Sequence, residues 1–267
     1  MHYKRIEVHE ENSIAIISLN RPDKLNAFDM QMFIDLDVLS RQLKKRLDLR
    51  AIIIQGNGRA FSVGLDITMM KSNHSNMLKL LWKILPRKAN LAQRVVHNWR
   101  KIPIPVFTVI HGDCFGAGMQ LALGADFRIA SPKAFFSIME AKWGLFPDMA
   151  GFINLRTILP KDQAMWLTMG AGVFDVNKAK ELGLITRISE NPLECAIEMA
   201  NKLTKVSPDS LAATKYMMNK YWHAGNGTIL SKETRYQIKI LFGKNFKVAV
   251  RRQFSKSNIP YLLRKFK

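Results

Sequence analysis

Two stretches of this sequence combine small residues with an apolar run before them and helix-forming residues after them. The first is Gly58-Arg59-Ala60-Phe61-Ser62-Val63-Gly64-Leu65-Asp66; the second is His111-Gly112-Asp113-Cys114-Phe115-Gly116-Ala117-Gly118-Met119-Gln120. Small residues let a ligand approach the main chain closely, and the first turn of a helix leaves N–H groups without intrahelical acceptors. Two such loops converging on one carbonyl oxygen would form an oxyanion hole for an enolate. Taken singly, each also reads as an ordinary strand-to-helix turn. The second loop offers Gly116-x-Gly118, but Leu121 stands where a dinucleotide fingerprint needs its third glycine, so that reading fails. His111, preceding Gly112 at a strand end, reads as a turn or core residue rather than a base. Cys114 and Cys195 make neither a disulfide framework nor a metal motif.

The elements that would position these loops are legible as apolar patterns. Strands are expected at Ile14–Leu19, Ala51–Gln55, Val106–Ile110 and Phe127–Ala130, with weaker candidates at Ala134–Ile138 and Leu184–Ile188. Met32, Leu36, Leu39, Leu43 and Leu47 recur at helical steps behind Asp29, a candidate N-cap. Ser75–Trp99 carries helical patterning interrupted by Pro86 and is bounded by Pro103 and Pro105. From about Asn191 the chain reads as helical: Leu193, Ile197, Ala200 and Leu203 form one stripe, and Pro208 opens another helix. The expected organisation is an α/β core over 1–195 followed by a helical C-terminal region over 196–267. The Met69-Met70 pair and Trp82 would line an apolar pocket or pack in the core.

Composition excludes whole classes. At 267 residues with 48% apolar content the chain can bury a sizeable core and is not disordered. Its longest apolar runs are strand-length, too short to span a bilayer, and Met1–Ser13 has no apolar core suited to a signal peptide. A reduced, cytoplasmic setting is the expectation. The charge stands out: 41 basic against 21 acidic residues give a net +20. Between Asp66 and Asp113 there is no acid, and none follows Glu233. Such a surface attracts phosphorylated cofactors, nucleic acid or anionic lipid, or is simply a solvated lysine-rich exterior.

Several motifs in register carry a resemblance. Leu19-Asn20-Arg21-Pro22-Asp23-Lys24-Leu25-Asn26-Ala27-Phe28 resembles the opening motif of the crotonase (enoyl-CoA hydratase/isomerase) superfamily. Ala60–Asp66 resembles its A-F-S-A-G-x-D loop, and Phe115–Gln120 its F-G-G-G-x-E loop. Leu167–Gly170, Ala179–Ile185, Ser207-Pro208 and Thr214-Lys215 follow in the family's order and spacing. The resemblance implies an α/β, crotonase-like spiral of ββα turns whose C-terminal helices form a homotrimer or a dimer of trimers. It implies a CoA thioester whose carbonyl oxygen is held by the backbone N–H groups of Leu65 and Ala117. The CoA adenine and phosphates would lie near Lys24, Ala27, Val63, Asp66 and Ile67. Coenzyme A then enters as part of the substrate, and no metal or other cofactor is implied.

The reaction is read from three further positions. Hydratases of this superfamily use two glutamates to activate one water; here the first position is Gln120, whose amide cannot take a proton, and the second is Glu140. One carboxylate suffices to move a proton along an acyl chain. Asp148, in Gly144-Leu145-Phe146-Pro147-Asp148, stands where the family's dienoyl-CoA isomerases carry an aspartate, although those enzymes also have an aspartate at the position of Gln120. Asp148 would equally cap a helix starting at Met149. The expectation is an isomerase using Glu140, with Asp148 as partner. The alternatives are a hydratase with Glu140 alone, or a degenerate relative binding RNA or a protein partner, the less favoured reading.

Overall fold

A computed structural model describes residues 3–72, 74–83, 85–255 and 258–266, with backbone alone at 70–72 and 74–77. The strands, in chain order, are β1 (Ile6–Glu11), β2 (Ile14–Leu19), β3 (Ala51–Gly56), β4 (Val106–Ile110), β5 (Asp113–Phe115), β6 (Phe127–Ala130), β7 (Phe135–Ser137), β8 (Phe174–Asp175) and β9 (Arg187–Ile188). Two sheets form, in the orders β1-β2-β3-β4-β6-β9 and β5-β7-β8. In the larger sheet only the β1–β2 pair is antiparallel. Parallel strands covered on both faces are mostly apolar, which is why β2, β3 and β4 read as near-continuous hydrophobic runs, interrupted by Ser18, Gln55 and Thr108. A long strand, a short strand and a helix recur: β4, β5 and helix Ala117–Leu123 make one such turn of the spiral.

The chain resembles its pattern in most places and departs from it in instructive ones. Strand β1 was not expected, because Glu7, Glu10 and Glu11 make it read as polar; it is an edge strand that buries Ile6 and keeps its charges outward. Helix Met30–Leu43 buries Met32, Phe33, Leu36, Leu39 and Leu43, and the Asp29 carboxylate accepts from the Met32 N–H at 2.9 Å, so the expected N-cap is present. The helix stops at Leu43, short of Leu47. The helical patterning over 75–99 is divided: helices Ile67–Ser72 and His74–Leu81 precede a non-helical stretch around Pro86, and a new helix runs over Leu91–Lys101.

Helix Pro192–Thr204 lays Ala196 and Ala200 on Ile53, Phe107, Val109 and Ile129. The expected division at 195/196 therefore falls inside a helix that covers the large sheet. Among the last helices, Pro208–Tyr221, Asn226–Leu241 and Lys244–Ser255, one polar anchor ties the first helix to the core and a second holds the C-terminal segment to that helix. The Lys215 ammonium meets the Asp126 carboxylate at 2.6 Å and the carbonyls of Trp99 and Ile104. Asp209 accepts from the N–H groups of Lys265 and Phe266, both at 2.7 Å, and from the Asn245 amide. No helix among the described residues is long and apolar enough to cross a membrane.

Candidate active site

The opening motif, 19–28, acts as a clamp on the first small-residue loop. Asn26 is fully buried; its side-chain oxygen accepts from the Arg21 N–H at 2.9 Å while its NH2 donates to the carbonyls of Asn57 and Ala60. Ser62 Oγ donates back to the Asn26 carbonyl at 2.8 Å, and the Val63 N–H bonds to the Leu25 carbonyl. The Arg21 guanidinium reaches Asp66 at 2.5 Å, and Thr68 donates to the same carboxylate through its N–H and hydroxyl. Burial works against the charge on Asp66, but the Thr68 and Arg21 hydrogen bonds win and hold its carboxyl below the ordinary range.

The second loop is laid against the first. Ser62 and Cys114 form a parallel bridge, with the Ser62 N–H bonded to the Asp113 carbonyl and the Phe115 N–H to the Ser62 carbonyl. His111 is a turn residue, as expected: its Nε2 lies 2.9 Å from the Gly58 carbonyl and ties the two loops together. Gly64 has φ +95°, and a Cβ there would stand 3.0 Å from the Phe115 carbonyl oxygen and 3.3 Å from the Ala117 nitrogen. The amides of Leu65 and Ala117 are thus brought side by side. Among the described residues neither N–H has a hydrogen-bond partner: the Phe28 bridge uses the groups flanking Leu65, and Ala117 opens its helix.

Leu65 and Ala117 both line a cavity of about 810 Å³. Lys24, Ala27, Val63, Asp66, Ile67, Glu140 and Asp148 line the same cavity, so it gathers every site residue expected from the sequence. Glu140 lies on the 3-10 turn Met139–Trp143, and its Oε1 would be 3.7 Å from a Cβ placed on Gly116, next to the Ala117 amide. Gln120 donates from Nε2 to that Oε1 at 2.5 Å and accepts the Met149 N–H on its own oxygen at 2.9 Å. The other Glu140 oxygen is buried and has no partner among the described residues. Burial pushes the Glu140 carboxyl above the usual range; the Gln120 hydrogen bond pulls it partly back and the neighbouring Asp148 charge raises it further. Burial likewise raises Asp148.

Two expectations are corrected here. Asp148 caps nothing: Ala150 turns the chain with φ +61° and the next helix begins only at Gly151, without a side-chain cap. Trp82 is 74% exposed and lines neither pocket nor core, whereas Met69 is buried in the core; the Met70 side chain lies outside the described residues. Sequence reading missed the walls contributed by Phe33, Leu80, Asn90, Gln93 and Phe146. Asn90 could have been found from its cap-like place before Leu91, which leaves its oxygen committed to Gln93.

The sequence pattern of the Enoyl-CoA hydratase/isomerase family matches residues 9–257. The chain belongs to that family. Its relatives include a Delta(3,5)-Delta(2,4)-dienoyl-CoA isomerase of Arabidopsis thaliana, 29% identical over 81% of this chain and 82% of the relative. A short-chain-enoyl-CoA hydratase of Clostridium acetobutylicum is 26% identical over 88% of each chain. The fold superposes on an enoyl-CoA hydratase crystal structure from Bacillus anthracis with a TM-score of 0.89 at 22% identity, covering 97% of this chain and 99% of that one. The spiral architecture and C-terminal helices are those of the family. Family members carry both isomerase and hydratase names, so the reaction must be argued from the cavity.

Proposed function

We propose that this family member shifts a double bond in an enoyl- or dienoyl-CoA by proton transfer. The carrying observation is the doubly engaged Gln120. Its oxygen is taken by Met149 and its NH2 by Glu140, so it has no group able to receive a proton from water. Hydration with a pair of carboxylates is thereby short of one base. Isomerisation needs only a carboxyl that can take and return a proton beside a stabilised enolate.

The thioester oxygen accepts hydrogen bonds from Leu65 and Ala117, where the negative charge of the enolate develops. Glu140 removes the proton through its unpartnered oxygen, and Asp148, on the same cavity, delivers a proton at the other end of the conjugated system. Burial raises both carboxyls above the ordinary carboxylate range, which favours their holding a proton for transfer. Lys24, Ala27, Val63 and Ile67 border the CoA moiety, and the Arg21 pairing keeps Asp66 from repelling its phosphates. Helix Lys161–Gly170 buries none of its residues and exposes Trp166 and Met169, which supports a homotrimer that covers this face.

The test is a comparison of substrates on one enzyme. A dienoyl- or 3-enoyl-CoA should be isomerised faster than a 2-enoyl-CoA is hydrated. Brisk hydration of crotonyl-CoA by the wild type would overturn the isomerase assignment in favour of a hydratase in which Glu140 alone orients the water.

A further inference from the structure

Helix Leu91–Lys101 starts with a reciprocal capping box on the cavity wall. Asn90 Oδ1 accepts the Gln93 N–H at 2.8 Å, and Gln93 Oε1 accepts the Asn90 N–H at 3.1 Å. A backbone N–H must be met by an oxygen, so the cap fixes the orientation of both amides. Each NH2 is then turned away from the helix, and neither group donates to any described residue. Asn90 is only 3% exposed, and it and Gln93 both line the cavity that holds Leu65, Ala117 and Glu140. Two amide groups thus offer unused donors to whatever fills an otherwise largely apolar wall that includes Leu80. Lys83 lines the same cavity and adds a positive charge.

Asn90 and Gln93 border the open cavity; a donor buried without a partner costs about 1–3 kcal/mol, so an apolar acyl tail packed against these groups would impose that cost. A tail carrying an oxygen acceptor would remove it. We propose that Asn90 and Gln93 form a specificity subsite that selects acyl groups bearing an oxygen acceptor away from the thioester, a distal carboxylate foremost because of Lys83. This rests on the acyl-CoA reading of the cavity.

The experiment measures dissociation constants for free CoA, for straight-chain saturated acyl-CoAs of four to eight carbons, and for the dicarboxylic acyl-CoAs of the same lengths. At the length that reaches the subsite, the dicarboxylic thioester should bind about tenfold or more tighter than its monocarboxylic counterpart. Gln93→Glu keeps an oxygen for the Asn90 N–H and replaces the donor with a charged acceptor. It should erase or reverse that ratio, with the helix content and melting temperature reporting that the cap survives. Should no dicarboxylic thioester outbind its counterpart, the subsite is refuted. It is equally refuted if Gln93→Glu weakens free CoA as much as the dicarboxylic thioesters, since the amides would then face the nucleotide part. Absence of binding by every thioester and by free CoA would instead remove the acyl-CoA reading itself.

Discussion

Gln120 Nε2 donates to Glu140 Oε1 at 2.5 Å, while the second Glu140 oxygen is buried with no partner among the described residues. The amide thus holds one oxygen of the carboxylate and leaves the other unengaged among the described residues. A buried, unpaired carboxylate oxygen is costly to stability, and that cost is the physical ground for proposing Glu140 as the proton carrier.

Replacing Glu140 by Gln removes the proton carrier and keeps its shape. Turnover of an isomerisable enoyl-CoA should fall by about two to four orders of magnitude with little change in affinity for CoA. Single-turnover kinetics and equilibrium binding separate the two; retained turnover would mean another group is the base.

The same group predicts how stability follows pH. Its folded-state pKa is raised by burial above the unfolded value of 4.5. The folded state therefore binds the proton more tightly, and its contribution is present below that value and is lost as pH rises through the raised folded pKa. Denaturant unfolding across this window should show stability falling with pH in the wild type and a shallower fall in Glu140→Gln. Parallel curves would show that Glu140 titrates normally.

Asp148 caps no helix and has a carboxyl raised by burial, so Asp148→Asn should leave the melting temperature within a few degrees of the wild type. Isomerisation should slow by about a hundredfold or more if Asp148 carries the second proton. An unchanged rate would remove it from the mechanism.

Gly64→Ala tests the proximity of the two amides. A Cβ at φ +95° is strained, and it would press on the Phe115 carbonyl and approach the Ala117 nitrogen. Spreading the Leu65 and Ala117 donors should lower kcat by about a hundredfold, in line with loss of one oxyanion donor. Circular dichroism should report the fold intact; unimpaired kcat in a folded variant would argue that these amides do not hold the thioester oxygen.

Asn26→Ala should damage the scaffold instead. It leaves the Arg21 N–H and the carbonyls of Asn57 and Ala60 without their buried partner, a loss of about 3 kcal/mol in stability. Equilibrium unfolding measures it, and a change below about 1 kcal/mol would show that the clamp is dispensable.

The sequence by itself determined the elements and the family. Largely apolar runs fixed β2, β3, β4 and β6 within a residue of their ends, because a strand buried on both faces admits few polar residues, Ser18, Thr108 and Arg128 among them. Asp29 marked its helix start because capping is local chemistry between residues three apart. The two small-residue loops were visible as shapes, and the motifs in register told that they belong together. What only the tertiary structure decided are the relations across distance: that Arg21 neutralises Asp66, that Gln120 bridges Met149 and Glu140, that Asp148 lines the cavity instead of capping a helix, and that Asn90 and Gln93, while capping theirs, line the same cavity. Local propensity says nothing about which residues twenty or forty-five positions apart will meet, since that is set by the pitch of the spiral and the packing of its turns. The edge strand β1 and the outward Trp82 escaped for the same reason: burial is a property of the assembled fold, and residue type reports it only on average.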